Sequence, residues 1–294
     1  MKINVPVIST VDILIIGGTL KAVSLALELR KSGLSVFAAT PYSYFGEDVC
    51  AKLDLQSPKS CDYKTLLGTD QVLRPVEIKG KLDRAMIDAD IDFLFQLRPV
   101  RPLISSGGGI CGALFADRSG FHAVAAKVVI DATERLTFAR SAGVPMKPFE
   151  PGIRKMGLYA IGGAAIDSAI IKSAQLPDKI NGGEREFDVF RLEMDWNFNS
   201  SSMFDFAEAN AAFRKAVWSP DAVAYAHEIC VDFGDGVVDG YTPSASSPVF
   251  IAERSDASAI ASIVNALPAP DPAGFGESAT SDPRSFEVLR KDSY

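Results

Sequence analysis

The chain has 294 residues, of which 47% are hydrophobic and 23% charged, with 37 acidic against 30 basic side chains for a formal charge of -7. That length suits about two domains of roughly 150 residues, and the composition is that of a folded globular protein rather than a disordered or fibrous one. The acidic balance argues against a large nucleic-acid or anionic-membrane surface.

No run of about 18 apolar residues appears, and the opening MKINVPVISTVDILIIGG lacks a basic region followed by a small-residue cleavage site. The expectation is a cytoplasmic protein whose four cysteines, Cys50, Cys61, Cys111 and Cys230, are reduced core thiols. They form no CxxC, and His122 and His227 are the only histidines, so the expected metal set is none.

In chain order, VDILIIGG reads as a buried strand closed by glycines, TLKAVSLALELRKSG as a helix ending at Gly33, and LSVFAAT as a second buried strand. Strand, glycine turn, helix and strand make a right-handed parallel crossover, so the fold class is α/β. KLDRAMIDAD then predicts a helix and IDFLF a third buried strand. LRPVRPLISS, ICGALFAD and HAVAAKVVIDAT predict an antiparallel insertion over about 97–127, its last turn set by Ser119-Gly120. The expected domains are a Rossmann-like unit over 1–146, a smaller α+β unit over 147–266, and a Pro/Gly/Ser-rich tail over 267–294. In the second unit GLYAIGG predicts a strand, AIDSAIIKSAQL a short helix, FDFAEANAAFRKAV a helix, and HEICVDFGDGVVDGY a hairpin about Gly234-Asp235-Gly236.

A dinucleotide site needs backbone that approaches a pyrophosphate closely, at the positive end of a helix. In the G-x-G-x-x-G register the chain reads Gly17, Gly18, Thr19, Leu20, Lys21, Ala22. Thr19 replaces the second glycine and Ala22 the third. Lys21 offers a phosphate a point charge, or is a solvated helix residue. The second strand ends at Thr40, where an acid would chelate a ribose. The turn is therefore a dinucleotide site, a retained fold whose site is lost or altered, or a coincidental match to the pattern.

VDILIIGG with its helix, PYSYFGEDVC, KLDRAMIDADIDFLF, GICGALFADRSGFHAVAAKVVIDAT and ERLTFARSAGVP together resemble the FAD-dependent oxidoreductases of the glutathione-reductase-like flavoprotein superfamily. The resemblance spans about 11–146 and, loosely, 157–175. It implies that Gly17 and Gly18 lie by the FAD pyrophosphate, that Thr40 takes the place of the ribose-binding acid, and that Phe45, Gly46 and onward to Cys50 run towards the flavin ring. Asp131, Ala132 and Thr133 match the start of a second flavin-contact motif, D-A-T-G-D, whose last two positions are here Glu134 and Arg135. Such proteins return near their C-terminus with a strand and a glycine-bearing helix start, a return not legible here. The chain is then short or its cofactor site degenerate, or a second chain completes the pocket.

The implied function is hydride or electron transfer from a small-molecule substrate to FAD. The rival is a non-catalytic binding or structural module with a lost cofactor site. A nicotinamide-dependent enzyme is a third reading, against which the hairpin and the Asp131 motif count. Cys50 is the side-chain redox candidate, although Glu47 and Asp48 would raise its pKa. His227 beside Glu228 is an acid/base candidate. His122, the acids Asp232, Asp235 and Asp239, and the tryptophans Trp196 and Trp218 read as packing or turn residues.

Overall fold

The computed structural model describes residues 2–55, 63–69, 71–166, 168–271 and 285–287. Strand β1 (Lys2–Asn4) precedes β2 (Val7–Ile16), α1 (Leu20–Lys31) and β3 (Val36–Thr40). Then come α2 (Glu47–Cys50), α3 (Tyr63–Leu67), α4 (Pro75–Asp88), β4 (Asp92–Phe95), β5 (Arg98–Ile104), β6 (Ile110–Asp117), β7 (Gly120–Asp131) and α5 (Thr137–Ser141). Strands β8 (Gly152–Gly162), β9 (Ile171–Gln175), β10 (Ile180–Asn181), β11 (Glu186–Phe187) and β12 (Val189–Phe198) follow, then α6 (Met203–Val217), β13 (Ala222–Tyr225) and β14 (Cys230–Val231). Strand β15 (Val249–Ile251), helix α7 (Ala257–Ala266) and β16 (Ser285–Glu287), which pairs with β1, complete the order.

The chain folds as two compact units interleaved in sequence rather than as consecutive blocks. One comprises Met1–Phe45, Leu82–Pro145 and Asp239–Tyr294; the other comprises Gly46–Lys81 and Met146–Val238.

The first unit is built on a sheet in the order β4-β3-β2-β7-β6-β5, parallel from β4 to β7 and antiparallel beyond. Ile13, Leu14, Ile15 and Ile16 have no exposed surface. A strand covered on both faces has no polar side to present, which is why this segment reads as an unbroken apolar run. Each such side chain contributes about 1.5–3 kcal/mol by burial. Helix α1 starts where Thr19 caps it, its hydroxyl accepting from the Ala22 N–H at 3.1 Å. It stops at Gly33, φ +84°, whose N–H donates to the Arg30 carbonyl. Leu20, Val23, Leu25, Ala26 and Leu29 are its buried face.

Long strand β7 changes partner halfway. Residues 120–125 pair with β6, and Val129, Ile130 and Asp131 pair in parallel with Val249, Phe250 and Ile251 of β15. Gly112 permits the crowded β6–β7 approach: its φ is +138°, and a Cβ there would overlap the Val124 carbonyl. Strand β15 leads through a 3-10 turn, Ala252–Arg254, into α7, and both the turn and α7 pack on α1. A strand and a helix therefore do follow near the end of the described residues, but the strand is three residues long and the helix starts at Asp256-Ala257-Ser258, without the glycine that the family resemblance implies.

The second unit holds an antiparallel sheet in the order β13-β8-β12-β9, with β14 also beside β8. Leu192 pairs with Leu158 and Met194 with Met156 on a buried face. Helix α6 packs on β12 and buries Ala209, Phe213 and Val217. Its start is capped by Ser202, whose hydroxyl accepts from the Asp205 N–H. Two expectations fail here. Within the expected helix, Ile171–Gln175 form the edge strand β9 instead, because β12 supplies a ladder of hydrogen-bond partners that a short isolated helix would lack. The hairpin about Gly234 is also absent: β14 pairs with β8, and Val237 bridges to Met146. Of the expected tail, 272–284 and 288–294 lie outside the described residues.

Candidate functional site

The carboxyl ends of β3, β2 and β7 lie side by side, with Ile16 paired to both Ala39 and Asp131. Chain direction diverges here, since α1 leaves β2 towards β3 on one side while β7 lies on the other. Such a switch point is where open α/β sheets place ligands. Gly17 turns the chain at φ +111°, its N–H donating to Ala39 O at 2.8 Å, while the Ala132 N–H donates to Ile16 O at 2.7 Å. A Cβ on Gly17 would lie 2.6 Å from both the C and O of Ala132. The glycine is therefore required first by the close approach of two main chains.

Gly18, Thr19 and Ala22 are buried and Lys21 is half-buried. The Thr19 side chain folds back onto its own helix as the cap. The charge of Lys21 reaches the start of α7, where Asp256 is the cap. The Ala259 N–H, the Ser258 hydroxyl and Lys21 hold that carboxyl below its ordinary range.

Thr40 has no exposed surface; its hydroxyl accepts from the Tyr42 N–H at 3.1 Å and its carbonyl from the Leu97 N–H at 3.0 Å. Asp131 is equally enclosed. Its Oδ1 accepts from the Thr133 N–H and hydroxyl at 2.8 and 2.7 Å, and its Oδ2 from the Ala139 N–H at 2.7 Å. Thr133 in turn accepts from the N–H and hydroxyl of Thr137, each at 2.9 Å. The D-A-T segment thus ties the end of β7 to the first turn of α5. Burial pushes the Asp131 carboxyl upward against these hydrogen bonds. Glu134 is exposed and Arg135 half-buried, with the Arg135 carbonyl accepting from Arg140 Nε.

Phe45, assigned by resemblance to the approach to the flavin, is a core residue packed edge-on to Phe93 and Phe95 at 5.1 and 5.2 Å. Gly46 and Cys50 belong to the second unit. Gly46, φ +82°, opens α2, and the Cys50 thiol lies 3.6 Å from the Pro75 carbonyl. Burial raises the Cys50 pKa to about 12, so the thiolate that redox chemistry needs is scarce. Cys111 is likewise raised, to about 11, by burial, and Cys61 lies outside the described residues. His227 is exposed, its carbonyl accepting from Arg214; burial raises the neighbouring Glu228 carboxyl.

At the β6–β7 turn, Ser119 Oγ and Asp117 Oδ1 both contact His122 Nε2, at 2.9 and 3.2 Å. A nucleophile relay requires the serine and the carboxylate on opposite ring nitrogens, so this cluster closes a turn. Asp232 accepts from the Gly234 N–H in another turn. Among the described residues no group of three or more His, Cys, Asp or Glu is arranged to hold a metal, and no helix is long and apolar enough to cross a membrane.

At the switch point Gly17 and Gly18 present main chain and Lys21 is half-buried. The side chains of Thr40, Asp131 and Thr133 are enclosed and engaged internally. The sequence named these positions as cofactor-binding; in the structure they lie at the ends of β3 and β7, and their burial and hydrogen bonding decide whether a side chain is available. The cap Asp256, opposite Lys21, was missed; Asp-x-Ser ahead of the apolar SAIASIV was its signal.

No family model matches the chain, and no curated protein matches it. Solved structures do, at low identity. A triple mutant of the flavin-dependent brominase Bmp2 is 14% identical with a TM-score of 0.54, covering 87% of this chain and 80% of that one. A geranylgeranyl bacteriochlorophyll reductase-like protein from Thermoplasma acidophilum is 16% identical with a TM-score of 0.52, covering 88% and 77%. AlpK is 13% identical with a TM-score of 0.52; it matches 82% of this chain, which spans only 56% of AlpK. The fold is thus mixed α/β, a Rossmann-like parallel sheet with antiparallel sheets, and it is shared with these solved structures.

Proposed function

We propose that this protein is an oxidoreductase of the FAD-dependent kind, holding the dinucleotide at the end of β2 and acting on a small-molecule substrate in the cytoplasm. The observation that carries the reading is the glycine turn between β3 and β7, where α1 begins. The fold shared with the brominase supports it. FAD, when bound, supplies the group that accepts a hydride or electrons. The chain's contribution is to set the pyrophosphate against the turn and the positive end of α1, with Lys21 adding charge. No acidic side chain ends β3, so the ribose gains no carboxylate partner. A hydrogen bond to a charged group is worth about 1.5–3 kcal/mol, so affinity should be about tenfold to a hundredfold below that of a site with the acid.

The test is titration of purified protein with FAD, followed by flavin fluorescence and absorbance. Saturable binding that weakens with salt and in Lys21→Met is the expected result. Absence of binding favours the second reading, a scaffold without cofactor. One specific observation points that way: Thr40 and Asp131 are committed to the protein's own backbone.

A further inference from the structure

We propose that α6 is the surface by which two copies of this chain pair, the two helices lying antiparallel about a two-fold axis at Ala211. The 15-residue helix buries one side, that of Ala209, Phe213 and Val217. A helix whose other side met only water would be polar there. Instead Phe204 is 89% exposed and Trp218, the residue at which the helix ends, 69%. The expectation that Trp218 packs a core fails, because it stands on the outward side. At 3.6 residues per turn, Phe204, Ala211 and Trp218 fall within about 40° of one another, directly opposite the buried side. Single exposed apolar residues are ordinary, but two aromatics aligned along one helix face form a patch.

The symmetry of this stripe names its occupant. Ala211 stands midway, seven residues from Phe204 and seven from Trp218. Antiparallel helices crossing at Ala211 therefore set Phe204 of each copy against Trp218 of the other. The exposed Ala207 and Ala211 leave room there for the two main chains to approach. Such a contact is self-complementary and closes at two copies.

Charge selects the direction. Glu208 in the first half of α6 and Lys215 in the last half lie on the same flank of the stripe, about 20° apart around the helix. Both are exposed, and among the described residues neither has an ion-pair partner. Arg214 lies on the opposite flank, tied to Asn210 and to the His227 carbonyl at 2.6 Å each. The antiparallel arrangement brings Glu208 of each copy to Lys215 of the other. A parallel one would set Glu208 against Glu208 and Lys215 against Lys215, and like charges exclude it. Antiparallel helices also place each positive end beside a negative one. A seam one helix long falls below about 1,200 Å², so the pair is reversible, with a Kd on the order of 10 μM. All these residues belong to the second unit, so the pairing does not rest on the flavin reading.

Sedimentation equilibrium of the full chain, from about 1 to 200 μM, is the test. A monomer in equilibrium with a dimer is expected, weakened about tenfold or more in Phe204→Asp and in Trp218→Ser. Glu208→Lys and Lys215→Glu should each weaken it by repulsion. An equimolar mixture of those two variants should recover it, because in the mixed pair every cation again faces a carboxylate. That recovery guards against variants that fold poorly. A chain that stays monomeric to about 200 μM overturns the proposal. So does a dimer indifferent to both aromatic substitutions, or a mixture no tighter than its components. A monomer that instead sediments with phosphatidylcholine vesicles, and no longer does so in Phe204→Asp, overturns it in favour of a membrane surface.

Discussion

Removing the Asp131 carboxylate should unfold the first unit's sheet end rather than merely empty a ligand site. In Asp131→Ala the enclosed N–H groups of Thr133 and Ala139 lose their acceptors, held at 2.8 and 2.7 Å. The Thr133 hydroxyl keeps Thr137 as a partner. At about 1–3 kcal/mol for each stranded N–H the loss is about 2–6 kcal/mol, and Asp131→Asn, which retains one acceptor, should lose about half. Proton linkage sets its pH dependence. Burial raises the folded-state pKa above the unfolded value of about 3.8, so the folded protein retains a proton that the unfolded chain releases. The stabilisation is fully present below the unfolded value and is lost as pH rises through the folded one. The gap between wild type and Asp131→Asn should therefore be widest in mild acid and narrow towards neutrality. Urea melts followed by far-UV circular dichroism measure it, since both tryptophans sit in the second unit. A loss under about 1 kcal/mol in Asp131→Ala, or a gap that widens with pH, would refute the reasoning.

Four further outcomes are expected. Gly17→Ala should cost about 2–4 kcal/mol in the same melts, because its Cβ meets Ala132 main chain at 2.6 Å from a φ of +111°; a change under about 1 kcal/mol would contradict that crowding. Thr40→Glu should lower stability by more than about 2 kcal/mol and leave FAD affinity unimproved, since it places a carboxylate in an enclosed position; tighter FAD binding would show instead that the position faces the ribose. Cys50 should resist iodoacetamide at pH 8 until the protein is unfolded, as a thiol raised to about 12 requires, which mass spectrometry of the labelled peptide reads directly. Asp12 carries the opposite linkage to Asp131: burial alone would raise its pKa, but Lys127 at 2.8 Å and the Ser35 N–H and hydroxyl hold it below the usual range. Its stabilisation is present above the unfolded value and falls away as pH drops through the folded one, so Asp12→Asn should flatten the acid limb of the stability curve.

Local pattern alone was enough for the β2–α1–β3 crossover, the β6–β7 turn and α6. In each, the information is nearest-neighbour: an apolar run, a cap, a glycine at positive φ, a helical stripe. Besides the hairpin expected about Gly234, three features escaped it. AIDSAIIKSAQL has apolar spacing open to either reading, and the partner that makes Ile171–Gln175 a strand is Phe190–Met194, nearly twenty residues on. Strand β15 is three residues long and exists because β6 leaves the distal half of β7 unpaired. Availability of side chains was the third. Thr40 and Asp131 are the right residue types at the right strand ends, yet both hydrogen-bond inward, and only the packed sheet determines how much of a side chain remains for a ligand. Strand ends converge through non-local pairing, and desolvation there depends on everything that covers them. The sequence by itself therefore determined where a nucleotide-sized ligand would be sought, and the tertiary structure decided which atoms are left to meet it.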